Sequence, residues 1–260
     1  LLKENINKHF WDEKQGCYTC YLYPEYLGYR PTQRVGVMSN GLAAVLDIAT
    51  TGQSIQMVEN FPLYPYGAAV LYPSIPDDFS YHNKSVWPVW ETPYMYAARD
   101  VKNTKVVEHM IKSLVRAGAL FLTHKENMTY DTGYDCGTAL NSSRQLWSVA
   151  SYISMVYRVL FGMTMEEEGI AFTPVVPDLV AGKISLENFR YRDAVLNINI
   201  TGKGNTVKKI TVNGQDQKLP YLLPATAQGD YTIDIVMTAT HASDKMNLVQ
   251  PGPREDWSPI

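Results

Sequence analysis

Leu196-Asn197-Ile198-Asn199-Ile200 alternates apolar and polar side chains with a period of two, the pattern of a strand with one buried face. Ile210-Thr211-Val212 and Tyr231-Thr232-Ile233-Asp234-Ile235-Val236 repeat it. Val212-Asn213-Gly214-Gln215 predicts a tight hairpin, because Asn-Gly supplies the two positive φ angles of a type I′ turn. Residues 166–240 are therefore expected to form a small antiparallel, β-sandwich-like module. Residues 241–260, with Pro251-Gly252-Pro253 and few large apolar side chains, are expected to form an extended tail.

Before residue 165 the period changes. Leu2, Ile6 and Phe10 lie at helical spacing, and Asp12-Glu13-Lys14-Gln15-Gly16 reads as a turn into a short strand at 17–23. Leu42, Val45, Leu46 and Ala49 share one face of a helix starting at Ser39, which Gly52 is expected to end. Pro62, Pro65, Pro73 and Pro76 make 60–81 a long loop. Further helices are expected from Pro88, from Thr104, and from Ser143 to Phe161, where Gly162 stops the chain. Helices joined by long aromatic loops suggest hairpins in a ring, so the fold class expected for 1–165 is mainly α.

The chain of 260 residues is 45% hydrophobic and 19% charged, with a net charge of -3. That composition is of an ordinary folded protein and lacks the basic bias of nucleic-acid binders. No run of 18 apolar residues is present, so no membrane span is expected. Its 18 Tyr and 5 Trp outnumber its 7 Phe; rings with a polar edge suit either a sugar-binding cleft or a tyrosine-rich core. Three cysteines give no disulfide framework and no metal-ligand spacing, so neither metal nor cofactor is expected. The start at Leu1 lacks an initiator methionine and reads as mid-helix, so this chain is expected to be the later part of a longer polypeptide.

Residues 81–98, with Val86-Trp87-Pro88-Val89-Trp90 at their centre, resemble the segment that opens a barrel helix and lines the sugar site in six-hairpin glycosidases. That superfamily includes trehalases, processing-type α-glucosidases and rhamnosidases. Residues 121–161, from Phe121 through Glu126 and Gly133 to Trp147-Ser148, are similar to a second stretch of those enzymes. The resemblance implies the closing half of an (α/α)6 toroid, with the other half supplied by an N-terminal part of the same polypeptide. It implies a carbohydrate substrate, a periplasmic or extracellular location, and inverting hydrolysis by two carboxyl groups about 6.5–9.5 Å apart. It places the general base on Glu126, with Asp131 and Asp135 as rivals in the same loop.

Glu126 in His124-Lys125-Glu126-Asn127 also reads as an ordinary solvated glutamate. Glu91 is the acid candidate within the chain, although a carboxylate in a first helical turn also serves the helix dipole. Trp87, Trp90 and Trp147 are candidates for stacking on sugar rings, or for core positions. Arg144 and Arg34 are candidates for paired hydrogen bonds to hydroxyls or to a carboxylate, and His82 lies in the loop before Trp87. Two other readings stay open. A polysaccharide lyase would draw on His82, Tyr134, Asn141 and Arg144, and a non-catalytic carbohydrate-binding protein would need no carboxylate pair.

Overall fold

The structure is a computed structural model that describes residues 1–76, 79–180, 182–240 and 244–252. Six helices are present among them: α1 (Leu2–Phe10), α2 (Val37–Val45), α3 (Thr51–Asn60), α4 (Pro88–Asp100), α5 (Thr104–Phe121) and α6 (Leu146–Ser154). A π-helical turn, Met155–Leu160, continues α6. Pro88 sits at the start of α4, where its missing N–H costs nothing. The Asn103 side chain caps α5 by accepting from the Val106 N–H at 3.0 Å.

Helix α3 falls where Gly52 had been read as a stop. Thr50 and Gln53 form a reciprocal capping box, with Thr50 Oγ1 accepting from the Gln53 N–H and Gln53 Oε1 from the Thr50 N–H. That start signal overrides a glycine in the first turn.

Helix α4 is the hub of the helical part. Tyr94, Met95, Ala97 and Ala98 are inaccessible to solvent, and α4 packs on α2, α3, α5, α6 and the π-helical turn. The Tyr94 hydroxyl donates to the Val58 carbonyl at 2.8 Å, so even its polar atom is satisfied inside. Where α2 crosses α4, a Cβ on Gly41 would lie 2.3 Å from the Tyr94 nitrogen and 2.5 Å from the Pro93 carbonyl carbon. Gly41→Ala must push two helix backbones apart, and overpacking of this kind costs about 1–3 kcal/mol. Thermal unfolding should show a midpoint several degrees lower; an unchanged midpoint would mean that the crossing yields freely.

The mainly α, partial (α/α)6 toroid is thereby overturned. Toroid hairpins surround an open axis, whereas here α4 packs on α2, α3, α5, α6 and the π-helical turn. Helix and strand are almost equal, at 31% and 32%. The chain is mixed α and β, and the described residues form no ring of hairpins.

The strand-rich part is a five-stranded sheet in the order Gly182–Tyr191, Asp193–Gly202, Gln228–Thr238, Thr206–Val212, Gln215–Asp216. Asp193–Gly202 runs parallel to Gln228–Thr238, so the sheet is mixed rather than antiparallel. Leu196, Ile198, Ile200, Ile233 and Ile235 form its buried face. Asn213 and Gly214 have φ of 50° and 78° and close the hairpin between Val212 and Gln215. A three-stranded sheet has the order Leu222–Pro224, Gly169–Phe172, Met163–Met165; two of its strands precede the five-stranded sheet in sequence and the third comes just before Gln228–Thr238. One apolar core runs through both parts, from Met57 and Tyr94 to Ile198 and Ile235. Phe189 of the sheet meets Tyr157 of the π-helical turn edge to face at 5.3 Å.

The tail is extended and docked. The Leu63 N–H donates to the Asn247 carbonyl and the Val249 N–H to the Leu63 carbonyl, at 2.9 and 2.8 Å. Of the residues expected in the tail, 241–243 and 253–260 lie outside the described residues.

Candidate functional site

Short pairings join the long loops of the helical part. Trp11–Asp12 pairs with Cys17–Tyr18, Thr19 with Val35, Val35–Gly36 with Leu71–Tyr72, Ala69 with Val86, and Ser85–Val86 with Met128–Thr129. The Glu126 loop is thereby held beside the loop that opens α4.

At that junction Tyr81, His82, Trp87, Trp90 and Trp147 form one aromatic cluster. Trp87 is at its centre, 4.9 Å from Tyr81, 5.0 Å from His82 and 5.8 Å from Trp147 between ring centroids. His82 stacks on Trp90 at 5.6 Å and 27°. Trp87 is 1% exposed, and its indole N–H is held by the Tyr81 carbonyl at 2.8 Å and by Ser85 Oγ at 2.9 Å. It is a core residue that supports the others. Trp147 is 43% exposed, His82 is exposed and Trp90 half-buried, so these three are the solvent-accessible rings around Trp87.

Glu126 joins the cluster through Tyr81, whose hydroxyl donates to Glu126 Oε1 at 2.9 Å. The Ser142 N–H donates to Oε2 at 2.9 Å, and the Glu126 N–H donates back to the Ser142 carbonyl at 2.9 Å. Donation to the carboxylate raises the Tyr81 phenol above its ordinary pKa. Glu126 is 8% exposed and fixed against the loop before α6, not a solvated loop glutamate. Tyr81 was missed in the sequence, although it opens the quoted 81–98 segment.

Glu91 is 1% exposed. Its Oε1 accepts from the Ala68 N–H at 2.6 Å, and Oε2 lies 3.0 Å from Ser113 Oγ. Desolvation pushes its carboxyl up to about 8, against the two hydrogen bonds. It ties α4 to the segment after the Tyr64–Gly67 turn and to α5.

The other carboxylates are engaged. Asp135 pairs with Lys125 at 2.6 Å, and Asp131 Oδ1 accepts from the Thr132 N–H at 2.9 Å. Arg144 is exposed, in the loop before α6, and its side chain makes no hydrogen bond or ion pair among the described residues. Tyr134 is half exposed and 5.9 Å from the Arg116 guanidinium. Asn141 donates to the carbonyls of Asn127 and Asp135 at 2.8 and 3.0 Å. Both serve the loop's own structure.

A cavity of about 280 Å³ adjoins the cluster, lined by Trp90, His82, Cys20, Leu42, Val70 and Leu71 among others. The Cys20 N–H donates to the Arg34 carbonyl at 2.8 Å, but the Arg34 side chain is not among those that line this cavity. A larger hollow of about 510 Å³ between α5 and the five-stranded sheet holds Lys112, Lys203, Glu108 and Asp178. Its charges pair with one another, Lys203 with Asp178 and Lys112 with Glu108, and no aromatic ring other than His109 lines it. Among the described residues no group of three or more His, Cys, Asp or Glu side chains is placed to hold a metal ion. No helix among them is long and apolar enough to cross a membrane.

No protein-family model matches the chain. No curated protein matches it either. Among solved structures, a chain described as "Sialidase" superposes on 83% of this chain with a TM-score of 0.59 and 15% sequence identity. The resemblance to six-hairpin glycosidases is therefore corrected: a mixed α and β architecture, shared with part of that chain, stands where the toroid was expected. This chain spans 22% of that chain's length, and the likeness at this identity is one of fold.

Proposed function

We propose that this chain carries a carbohydrate-binding face of a glycoside hydrolase, with Trp147, Trp90 and His82 as the stacking surface and Glu126 as the general base. The observation that carries the reading is the coupling of an open aromatic face to an oriented carboxylate through the Tyr81–Glu126 hydrogen bond. Sugar rings present apolar C–H faces to aromatic rings and hydroxyls to carboxylates, so such a pairing suits both at once. Tyr81 and the Ser142 N–H each occupy one direction at the carboxylate, leaving each oxygen a second lone pair for a water or hydroxyl. The solved structure with a similar fold is described as "Sialidase", a description in keeping with a carbohydrate reading.

A second reading, a binding face without catalysis, is favoured by the shallow exposure of Glu126. Trp147→Ala addresses what the two readings share. The side chain is 43% exposed, so its removal should leave thermal stability within about 1 kcal/mol. Loss of a stacking anchor should weaken oligosaccharide binding about tenfold or more, read by calorimetry. Unchanged affinity across a panel of neutral and acidic oligosaccharides would remove carbohydrate from both.

A further inference from the structure

We infer that the cavity beside Trp90 receives the aryl aglycone of a glycoside whose sugar lies on the aromatic face; this rests on the carbohydrate reading above and narrows its substrate class. His82 and Trp90 belong to both places, since they line the cavity and stack on each other within the aromatic cluster. Met38, Leu42, Val70 and Leu71 make the rest of the wall hydrocarbon or thioether. Cys20 adds a thiol that burial pushes up to about 12, with the Arg34 charge opposing, so it stays neutral and weakly polar. Polar capacity in this wall is already spent. Ser39 Oγ donates its one hydrogen to the Gly36 carbonyl at 3.1 Å. The Val70 N–H donates to the Ser85 carbonyl at 2.9 Å, and the Val70 carbonyl accepts from the Val37 N–H at 3.2 Å. Gly36 and Leu71 are paired with each other as antiparallel strand residues. The His82 imidazole is left as the main polar group facing a ligand.

Such a wall discriminates between the two halves of a glycoside. A sugar ring carries several hydroxyls, and in this cavity most of them would leave water without gaining a partner. An aryl ring has no such loss. It also gains contacts that an alkyl chain does not, ring packing with Trp90 and a sulfur contact with the Met38 thioether. Volume sets the size of the group. About 280 Å³ is near the lower end of ligand pockets, about 300–1,000 Å³, so the cavity fits one part of a ligand rather than the whole. The remainder lies outside, and His82 and Trp90, shared by cavity and cluster, connect it to the proposed stacking surface.

The test uses the full-length protein and calorimetric titration with paired phenyl and methyl 1-thioglycosides of glucose, galactose and N-acetylneuraminate. The sulfur linkage resists hydrolysis, so binding is read without turnover. For at least one sugar the phenyl compound is expected to bind about tenfold or more tightly than the methyl one. Leu42 is 37% exposed, so Leu42→Gln should fold with a melting temperature close to the parent's. It should bring the phenyl preference within about threefold, by putting an amide into the apolar wall, and leave methyl-thioglycoside affinity unchanged. Leu42→Trp keeps the wall apolar but fills the space, and should remove the preference as well. Trp147→Ala, by contrast, should weaken phenyl and methyl compounds together. Equal binding of each pair would overturn the aglycone assignment and leave the carbohydrate reading standing; no binding of either kind would overturn both. A phenyl preference that survives both Leu42 substitutions would put the ring on the Trp147 face and overturn the cavity assignment. Butyl thioglycosides that bind more tightly than phenyl ones would give the cavity to an alkyl chain and overturn the aryl assignment. Sedimentation gives an independent readout: a dimer that Leu42→Gln dissociates would mean that a second copy fills the cavity, and would overturn the proposal too.

Discussion

Glu126→Gln in the full-length protein should lower turnover on its glycan at least about 100-fold while leaving substrate affinity nearly unchanged. Gln keeps the size and one acceptor oxygen of the side chain, so the Tyr81 hydroxyl, 2.9 Å away, retains a partner. The amide nitrogen, however, cannot accept from the Ser142 N–H as Oε2 does, and an amide cannot take a proton from an attacking water. The loss of the Ser142 bond is a stability effect of about 1–3 kcal/mol, to be measured separately by unfolding. Tyr81→Phe separates orientation from proton transfer. It leaves the carboxylate in place without its phenolic donor, and a positioning role predicts a smaller loss in kcat with little change in KM. Near-normal turnover in Glu126→Gln would move the base to Asp131 or Asp135. Silence at all three positions would favour the binding face without catalysis.

The sequence announced elements better than their arrangement. Strand periodicity at Leu196–Ile200 and the Asn213-Gly214 turn are local, and each is realised where it is read. The parallel pairing of Asp193–Gly202 with Gln228–Thr238 joins residues about 35 apart, and alternation reads the same for either direction. The toroid failed for a similar reason. Helical spacing puts Tyr94, Met95 and Ala98 in one helix, yet cannot show that α2, α3, α5, α6 and the π-helical turn all pack against it rather than leaving it to face an axis.

At the candidate site, Trp87, Trp90, Trp147 and His82 were legible as a group because three of them fall within one aromatic segment. Which of them faces solvent was not, since a ring at helical spacing looks alike in core and cleft; Trp87 proved to be the buried one. Tyr81 went unnoticed because its role depends on Glu126, 45 residues away.

Glu91 carries the other large expectation, a fall in folding stability as pH rises from about 5 to 8. Its carboxyl titrates near 4.5 in an unfolded chain and is pushed up to about 8 in the fold by desolvation. Between those values the native state holds a proton that the unfolded state has released. Stability from this group is therefore fully present below the unfolded value and drains away by about 1.4 kcal/mol per pH unit until the folded value is passed. Hydrogen bonding agrees with the neutral form. Ser113 Oγ lies 2.9 Å from the Tyr66 carbonyl and 3.0 Å from Glu91 Oε2, and it has one hydrogen. If that hydrogen goes to the carbonyl, which only accepts, the acid's own O–H can satisfy the second contact. Gly67 closes the site, since a Cβ there would lie 2.4 Å from Glu91 Oε1. Glu91→Gln keeps an acceptor for the Ala68 N–H and a donor toward Ser113, so it should fold well and lose this pH dependence. Urea unfolding of both proteins at pH 5, 6, 7 and 8 should show their stabilities diverging, with the variant gaining on the parent at each step. Parallel curves would mean that Glu91 is already ionised in the fold, its charge met by the Ala68 and Ser113 donors.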